Sequence, residues 1–426
     1  MERIFATYLI ETPYEVEQAA AVLAGEPLKE TLLFVPKEAE ELKKHLAAQV
    51  EHIELLEEVS IPSIPGDFTA GTLFKRAKVI VSWPVGNFGY NIPALMTTLL
   101  GSLYESRQFT GLKLDDFEVP NSYRQHFRGP KFGMRGTKAL AGVGLKRPMI
   151  GAAIKPSLGV TPEHTAFLVK QLAEAGIDFI KDDELLTSSS NSPFAERVEK
   201  VMNVINAHAD KTGKKIMYAF NITGDIRTMQ SNYETVVNAG GNCAMLSVNS
   251  VGWTATKQVC NWGGLSIHAH RNGWGMFNRH PYLGINFPAY DKIARLAGID
   301  QMYVNGIDNG FWESNDSAVR SIKSCLKPFL NSEAVLPVVS SEQWGGQAFE
   351  TYKRIKSTDL LYMAGDAIFG HSSGIEAGVL SVKQAWNAAV NGMTLEETAN
   401  DYKEFRESVV KFGNKELLNK VSVNEG

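Results

Sequence analysis

Residues 175–185 read A-G-I-D-F-I-K-D-D-E-L, a short apolar run that leads directly into one lysine and three carboxylates. The run 177–180 is typical of a buried strand. Alternate side chains of an extended strand share a face, so we expect Lys181 and Asp183 to point the same way, with Glu184 just past the strand end. Two carboxylates beside a lysine indicate an oxygen-ligand site for a hard divalent ion such as Mg²⁺. Taken alone, these residues also fit a solvated turn after a strand.

The composition limits the classes of protein to consider. The chain has 426 residues, of which 44% are hydrophobic and 21% charged, and this predicts a soluble globular protein of more than one domain. A net charge of −4, without a run of lysine or arginine, gives no indication of nucleic-acid binding. Three scattered cysteines fit a reducing cytoplasm better than a disulfide framework. The N-terminus lacks the apolar core of a signal peptide, and no window reaches the length of a membrane span.

From about residue 147, apolar strand candidates alternate with helical patterns. Eight strand–helix units in roughly 250 residues are typical of a TIM barrel, a (β/α)8 fold. We therefore predict an α/β fold in which an N-terminal α+β domain of the ferredoxin-like type (residues 1–125) precedes a TIM barrel (residues 126–426). The predicted barrel strands are 148–155, 179–184, 216–222, 243–249, 265–270, 301–305, 335–340 and 360–365.

The ends of these predicted strands carry polar, basic or glycine residues. Active sites of TIM barrels lie at the C-terminal ends of the strands, so this regularity predicts a catalytic rim. The rim candidates are Lys155, Lys181, Asp183, Glu184, Asn221, Asn249, His268, His270, Arg271, Asn305, Ser340 and Gly365.

At this point the motifs resemble those of the RuBisCO large subunit, and more closely those of RuBisCO-like proteins that share its fold without fixing carbon dioxide. The stretch G-I-D-F-I-K-D-D-E at 176–184 is similar to the family's G-x-D-F-x-K-D-D-E. The resemblance implies that Lys181 is carbamylated by carbon dioxide and binds Mg²⁺ together with Asp183 and Glu184.

Two further motifs imply catalytic and binding roles by the same resemblance. I-K-P at 154–156 is similar to the family motif in which the lysine, here Lys155, contacts the reacting carbons and moves protons. H-A-H-R at 268–271 resembles the motif in which the second histidine, here His270, contacts substrate and the arginine, here Arg271, binds a phosphate.

The resemblance also implies residues that hold the ends of the substrate. Ser340 ends a stretch similar to one with a substrate-binding serine. Ala364 and Gly365 stand where the family holds a phosphate on backbone N–H groups. Glu26 and Thr31 match a segment that reaches into the neighbouring subunit's site, which implies a homodimer with shared active sites.

Several residues depart from the pattern of the carboxylases. Gly310 stands where those enzymes have the lysine that holds carbon dioxide, and Tyr303 stands where they have a histidine. Ser341 and Glu342 replace two glycines of one phosphate site, and the carboxylate of Glu342 would repel a second phosphate. These departures argue against carboxylation of a sugar bisphosphate and favour a monophosphate substrate.

Two enzymatic functions and one non-enzymatic function stay open. The stretches I-K-P-S-L-G and H-A-H-R-N-G-W-G resemble the branch that removes a carboxylate from 3-oxo-isoapionate 4-phosphate, or transfers it to water, in apiose catabolism. We favour this function, with Mg²⁺ stabilising the charge that develops as the carboxylate leaves. The alternatives are 2,3-diketo-5-methylthiopentyl-1-phosphate enolase or methylthioribulose-1-phosphate isomerase of methionine salvage, and a barrel that binds a partner or metabolite without catalysis.

Overall fold

The computed structural model describes residues 2–25, 47–66, 68–330 and 332–414. The chain divides into two units, one made of residues 1–128 and 273–296 and the other of residues 129–272 and 297–426. Glu26 and Thr31 lie outside the described residues. The same holds for a strand that the sequence pattern predicts at 30–35, and for residues 37–46 of a helix that it predicts at 37–50.

A mixed sheet forms the centre of the first unit. Among the described residues it has five strands in the order β10-β4-β1-β3-β2. Alternate residues of β1, among them Ile4, Ala6 and Tyr8, are buried, as expected of a strand with one face on a core. The strands are β1 (Arg3–Thr12), β2 (Gln49–Val59), β3 (Phe74–Pro84), β4 (Gly111–Glu118) and β10 (Leu283–Ile285).

The strand β10 comes from the later segment 273–296, which the sequence analysis placed in the barrel domain. It pairs in parallel with β4, so that the edge of β4 is hydrogen-bonded instead of open. The remaining elements of this unit are helices Val16–Leu23, Ile92–Leu100, Tyr123–His126, Trp274–Asn278 and Phe287–Ala297, with 3-10 turns at Val85–Asn87 and Ser102–Glu105.

Within the described residues of the second unit, eight parallel strands form a closed barrel in the order β11-β12-β13-β5-β6-β7-β8-β9. Closure runs through the pairing of β13 with β5. The predicted TIM barrel is therefore confirmed. The strands are β5 (Met149–Ala153), β6 (Phe179–Lys181), β7 (Met217–Asn221), β8 (Cys243–Ser247), β9 (Ser266–His270), β11 (Gln301–Asn305), β12 (Leu336–Ser340) and β13 (Leu361–Met363).

Local signals in the sequence explain where the outer helices begin and end. Thr161 accepts a hydrogen bond from the N–H of His164 and is followed by Pro162, a combination that starts a helix. Gly213 ends the helix Phe194–Thr212 with a left-handed conformation. The helices are Gly133–Leu140, Pro162–Glu174, Phe194–Thr212, Ile226–Asn238, Val248–Trp262, Asn315–Leu326, Gln347–Ile355, Gly365–Phe369, Gly374–Val390, Leu395–Asp401 and Lys403–Phe412.

The interior of the barrel is filled by side chains and is not a pore. Its core includes Phe179, Met217, Met245, Val338 and Leu361, which come from five different strands. The C-terminal ends of the strands, where TIM-barrel enzymes have their active sites, carry the polar residues that the sequence predicts. No helix in the described part of the chain is long and apolar enough to cross a membrane.

Candidate active site

Lys181 is the last residue of β6, and its side chain is buried. Its Nζ donates to the carbonyl oxygen of Asp182 at 2.9 Å and lies 3.5 Å from the thioether sulfur of Met245. Burial lowers the pKa of Lys181 to about 8. A substantial fraction of this amine is therefore neutral near physiological pH, and a neutral amine is the form that reacts with carbon dioxide.

Lys155 lies beside the first predicted carboxylate ligand. It follows β5, and its Nζ donates to Oδ2 of Asp183 at 2.8 Å and to Oγ of Ser157 at 3.3 Å. Burial acts to raise the pKa of Asp183, but the hydrogen bonds from Lys155 and from the N–H of Leu185 bring it below its ordinary value. Asp183 is thus an anion that is paired with the half-exposed side chain of Lys155.

Glu184 and His270 form a second pair at the rim. The Nε2 of His270 lies 2.5 Å from Oε2 of Glu184, and this hydrogen bond lowers the pKa of Glu184. Burial lowers the pKa of His270 as well. A neutral imidazole beside a carboxylate carries its proton on Nε2, which leaves Nδ1 as an acceptor. Among the described residues that buried Nδ1 has no hydrogen-bond partner.

A buried polar network behind β6 holds these carboxylates in place. Asp182 accepts from the hydroxyl of Tyr218 at 2.6 Å, from the N–H of Asn221 at 2.8 Å and from Arg197 at 3.3 Å. The side-chain amide of Asn221 donates to the carbonyl oxygens of Asp183 and Glu184. Arg197 was not predicted from the sequence, because an arginine in the helix that follows β6 gives no sign in the sequence that it is buried against Asp182.

Arg271 is buried against a carboxylate that the sequence analysis also missed. Its Nη2 donates to Oε2 of Glu313 at 3.1 Å, and the two side chains are 2% and 0% exposed. Asn305 and Ser317 donate to the same carboxylate at 2.6 and 2.7 Å. The residue predicted to bind phosphate therefore already has an anionic partner, which a phosphate would have to share or displace.

The turn after β12 contains two residues in an unusual backbone conformation. Ser341 and Glu342 have φ of 76° and 57°, in the left-handed region that favours glycine. A Cβ placed on Gly310 would lie 2.2 Å from the carboxylate of Glu342, so the two positions are neighbours in space. The predicted replacement of glycines by Ser341 and Glu342 thus keeps a glycine-like backbone and adds two side chains to this part of the rim.

The other predicted site residues are only partly brought together. Ser340 ends β12 and is partly exposed, and its carbonyl oxygen accepts from the N–H of Gly306. The N–H of Ala364 donates to the carbonyl oxygen of Gly151 at 3.0 Å, so it is already used within the barrel. The prediction of a backbone phosphate contact here rests on Gly365, which begins a helix of five residues.

The chemistry of the donor set can be tested against the Mg²⁺ prediction. Within the described residues, no three His, Cys, Asp or Glu side chains form a ready metal-binding group. The predicted set needs Lys181 as its third member, and the lowered pKa of that amine suits carbamate formation. A carbamate, Asp183 and Glu184 would supply three anionic oxygens, the ligand type that Mg²⁺ prefers. The residues present fit the ion.

Comparison with known proteins identifies the family of the chain. Residues 138–412 match the family described as ribulose bisphosphate carboxylase large chain, catalytic domain, and residues 2–123 match the corresponding N-terminal domain. A 3-oxo-isoapionate-4-phosphate transcarboxylase/hydrolase of Xanthobacter autotrophicus is 43% identical over 401 residues, which cover 93% of this chain and 96% of that protein. A 3-oxo-isoapionate-4-phosphate decarboxylase of Rhizobium rhizogenes is 43% identical over 412 residues, 96% of this chain and 98% of that protein.

Among solved structures, a rubisco-like protein from Burkholderia fungorum superposes with a TM-score of 0.90 at 39% identity, covering 97% of this chain and 100% of that one. Both parts of the chain, the N-terminal sheet and the barrel, are therefore matched. The chain belongs to the RuBisCO large-chain family.

Proposed function

We propose that this protein removes the carboxylate of 3-oxo-isoapionate 4-phosphate, either as carbon dioxide or by transfer to water. The observation that carries this proposal is 43% identity, over more than nine-tenths of both chains, to enzymes named for that substrate. Gly310 and Tyr303, which stand where the carboxylases of the family have a lysine and a histidine, support a function without carbon dioxide fixation.

We also propose that the Lys181 carbamate, Asp183 and Glu184 hold Mg²⁺. The bound ion would supply Lewis-acid stabilisation of the negative charge that develops on the substrate's keto oxygen. The burial of Lys181 and the anionic state of both carboxylates support this assignment.

The residues of the chain would then carry out the proton transfer and hold the substrate. The carbon–carbon bond to the carboxylate breaks, carbon dioxide leaves, and the electron pair moves into the neighbouring keto group to form an enolate. Lys155 would donate a proton to the carbon that lost the carboxylate, and the contact of its Nζ with Asp183 and its half-exposed side chain support this role. His270 would contact a substrate hydroxyl, and Arg271 with the N–H of Gly365 would bind the phosphate.

The proposal also covers the cellular compartment and the oligomeric state of the protein. We propose a cytoplasmic homodimer, in which Glu26 and Thr31 of one subunit, with Ser340 of the other, complete each active site. The three cysteines are free thiols, which fits a reducing compartment.

A substrate panel followed by phosphorus NMR tests this function. The protein is incubated with Mg²⁺ and bicarbonate, and separately offered 3-oxo-isoapionate 4-phosphate, 2,3-diketo-5-methylthiopentyl 1-phosphate and ribulose 1,5-bisphosphate. We expect turnover of the first compound alone. Lys181→Ala should abolish this turnover, while Lys200→Ala, at a partly exposed lysine of the outer helix Phe194–Thr212, should leave it unchanged. Turnover of only the second compound would instead establish an enolase.

A further inference from the structure

A chain of hydrogen bonds with a fixed direction crosses the rim at the ends of β11 and β12. It runs through Tyr303, Ser341 and Asn305 to Glu313. We infer that this chain leaves the phenol oxygen of Tyr303 as a hydrogen-bond acceptor, and that this acceptor selects a hydroxyl group of the substrate in preference to an anionic oxygen. The inference deepens the proposed function and rests on it for the location of the substrate.

The donor-to-acceptor direction of these hydrogen bonds is set at Glu313. Its fully buried carboxylate is paired with Arg271, and a carboxylate in such a pair can only accept hydrogen bonds. Asn305 lies 2.6 Å from it and must therefore present its NH2 group to Glu313. The orientation of the Asn305 amide is fixed as a result, with Oδ1 on the opposite side.

The next link is the hydroxyl of Ser341. Its Oγ lies 2.7 Å from Oδ1 of Asn305, and because Oδ1 can only accept, the serine must donate its single hydrogen there. The left-handed conformation of Ser341, which a glycine would adopt more easily, aims this hydroxyl at Asn305. A side chain kept in an unfavourable backbone region at a rim is consistent with a functional contact.

The last hydrogen bond determines whether Tyr303 can donate to a ligand or only accept from it. Its hydroxyl lies 3.1 Å from Oγ of Ser341, whose hydrogen is already committed, so Tyr303 must be the donor in this contact. Its phenol oxygen then has only acceptor lone pairs to offer a ligand. The side chain is partly exposed, and its ring packs edge-on to His270 with ring centroids 4.8 Å apart. The acceptor therefore lies next to the histidine proposed to contact substrate.

An acceptor at this place attracts the hydrogen of a hydroxyl group and repels a phosphate or carboxylate oxygen. Tyr303 is thus a substrate-contacting residue that determines specificity. Glu313 is a positioning residue, because it acts through the orientation of Asn305 and Ser341.

The test measures binding directly, so it does not depend on turnover. With Mg²⁺ and bicarbonate present, isothermal calorimetry compares glycerol 3-phosphate, which carries hydroxyls, with n-propyl phosphate, which has none. We expect Tyr303→Phe to lower the ratio of the two affinities about fivefold, the effect of one neutral hydrogen bond. Tyr352→Phe, which removes a phenol hydroxyl from the outer helix Gln347–Ile355, should leave the ratio unchanged.

A second pair of variants tests the direction of the chain. In Glu313→Gln the side chain can also donate, so the Asn305 amide can turn and the whole chain can reverse. We expect Glu313→Gln to lose the preference for glycerol 3-phosphate over n-propyl phosphate. Glu313→Asp, whose carboxylate can only accept, should keep more of this preference. Circular dichroism melting shows that each variant is folded.

If folded Tyr303→Phe has the same ratio of affinities for glycerol 3-phosphate and n-propyl phosphate as the wild type, the inference is overturned. If Tyr303→Phe loses the preference for glycerol 3-phosphate but folded Glu313→Gln keeps it in full, the role of the hydrogen-bond chain is overturned. If the ratio behaves as expected but 3-oxo-isoapionate 4-phosphate is not turned over, the proposed function fails and the hydroxyl selection stands.

Discussion

At the scale of single residues, the proposed chemistry depends on the buried amine of Lys181. Its pKa, lowered to about 8 by burial, places the change from ammonium to amine within the range of cellular pH. The sequence shows that this lysine ends a strand next to two carboxylates. It does not show Met245, the sulfur that lies against the amine, because Met245 comes from a different strand.

This pKa predicts how activation by carbon dioxide depends on pH. Below about pH 8 the Lys181 amine is mostly protonated and unable to form a carbamate, and above it the amine is mostly neutral. We expect the initial rate after preincubation with bicarbonate and Mg²⁺ to rise as the preincubation pH increases from 7 to 9, with the assay itself held at one pH. Activation that is flat or falls over this range would contradict the role of Lys181.

The left-handed conformation of Glu342 predicts a gain in stability on substitution. Glu342→Gly should raise the free energy of unfolding in urea by about 1 kcal/mol, because a non-glycine residue in this region is strained by that order. Lys356→Gly is a matched control, since Lys356 has φ of 55° at the end of an outer helix. It should be stabilising without changing turnover. If Glu342→Gly is destabilising, contacts of the glutamate side chain outweigh the strain.

At the scale of elements, the turn after β6 is held by a buried ion pair. Arg197, in the helix Phe194–Thr212, donates to Asp182 and to the carbonyl oxygens of Leu186, Thr187 and Ser192. The turn that carries Asp183 and Glu184 is thereby held by the following helix, in addition to its own hydrogen bonds and those from β7.

Removing the charge of Asp182 should therefore destabilise the protein strongly. Asp182→Asn leaves the fully buried Arg197 without its anionic partner, and we expect the free energy of unfolding to fall by about 3 kcal/mol in urea denaturation. Glu163→Gln breaks an exposed ion pair with Lys200 and should have a much smaller effect. Equal effects of the two variants would show that the Asp182 pair is not a special support of the turn.

The elements also show what the sequence could predict. All eight barrel strands were predicted, because strands buried on both faces are continuous apolar runs between helical patterns. The strand β4 was not, since its sequence G-L-K-L-D-D-F-E places Lys113, Asp115 and Asp116 among the apolar residues. Lys113 is nevertheless buried, because it donates to the carbonyl oxygens of Asn278 and His280 from the distant segment that supplies β10.

The site residues that could be predicted are those that directly follow an apolar strand. Lys155, Lys181, Asp183, Glu184 and His270 follow apolar runs and were predicted. The structure pairs Lys155 with Asp183 and His270 with Glu184, whereas the Lys181 amine contacts the carbonyl oxygen of Asp182 and the sulfur of Met245. Glu313 and Arg197 could not be predicted, because each belongs to a helix or loop whose burial depends on contacts with other strands.

At the scale of the whole molecule, the proposed homodimer makes a prediction about mixed subunits. Lys181→Ala removes the metal site of its own barrel, and a variant with both Glu26→Ala and Thr31→Ala removes the proposed contribution to its partner's site. When the two inactive variants are unfolded and refolded together, heterodimers should contain one intact site, restoring about a quarter of wild-type activity. No recovery, with heterodimers present by native mass spectrometry, would contradict shared sites.

The central claim is that this barrel releases a carboxylate at a site built on Lys181. The most direct measurement uses 3-oxo-isoapionate 4-phosphate labelled with carbon-13 in its carboxylate, incubated with protein, Mg²⁺ and unlabelled bicarbonate. We predict that carbon-13 NMR shows labelled carbon dioxide or bicarbonate appearing at the rate of substrate loss, and that Lys181→Ala shows none. Substrate consumption with the label retained in the product, or label release by Lys181→Ala at the wild-type rate, would contradict the account.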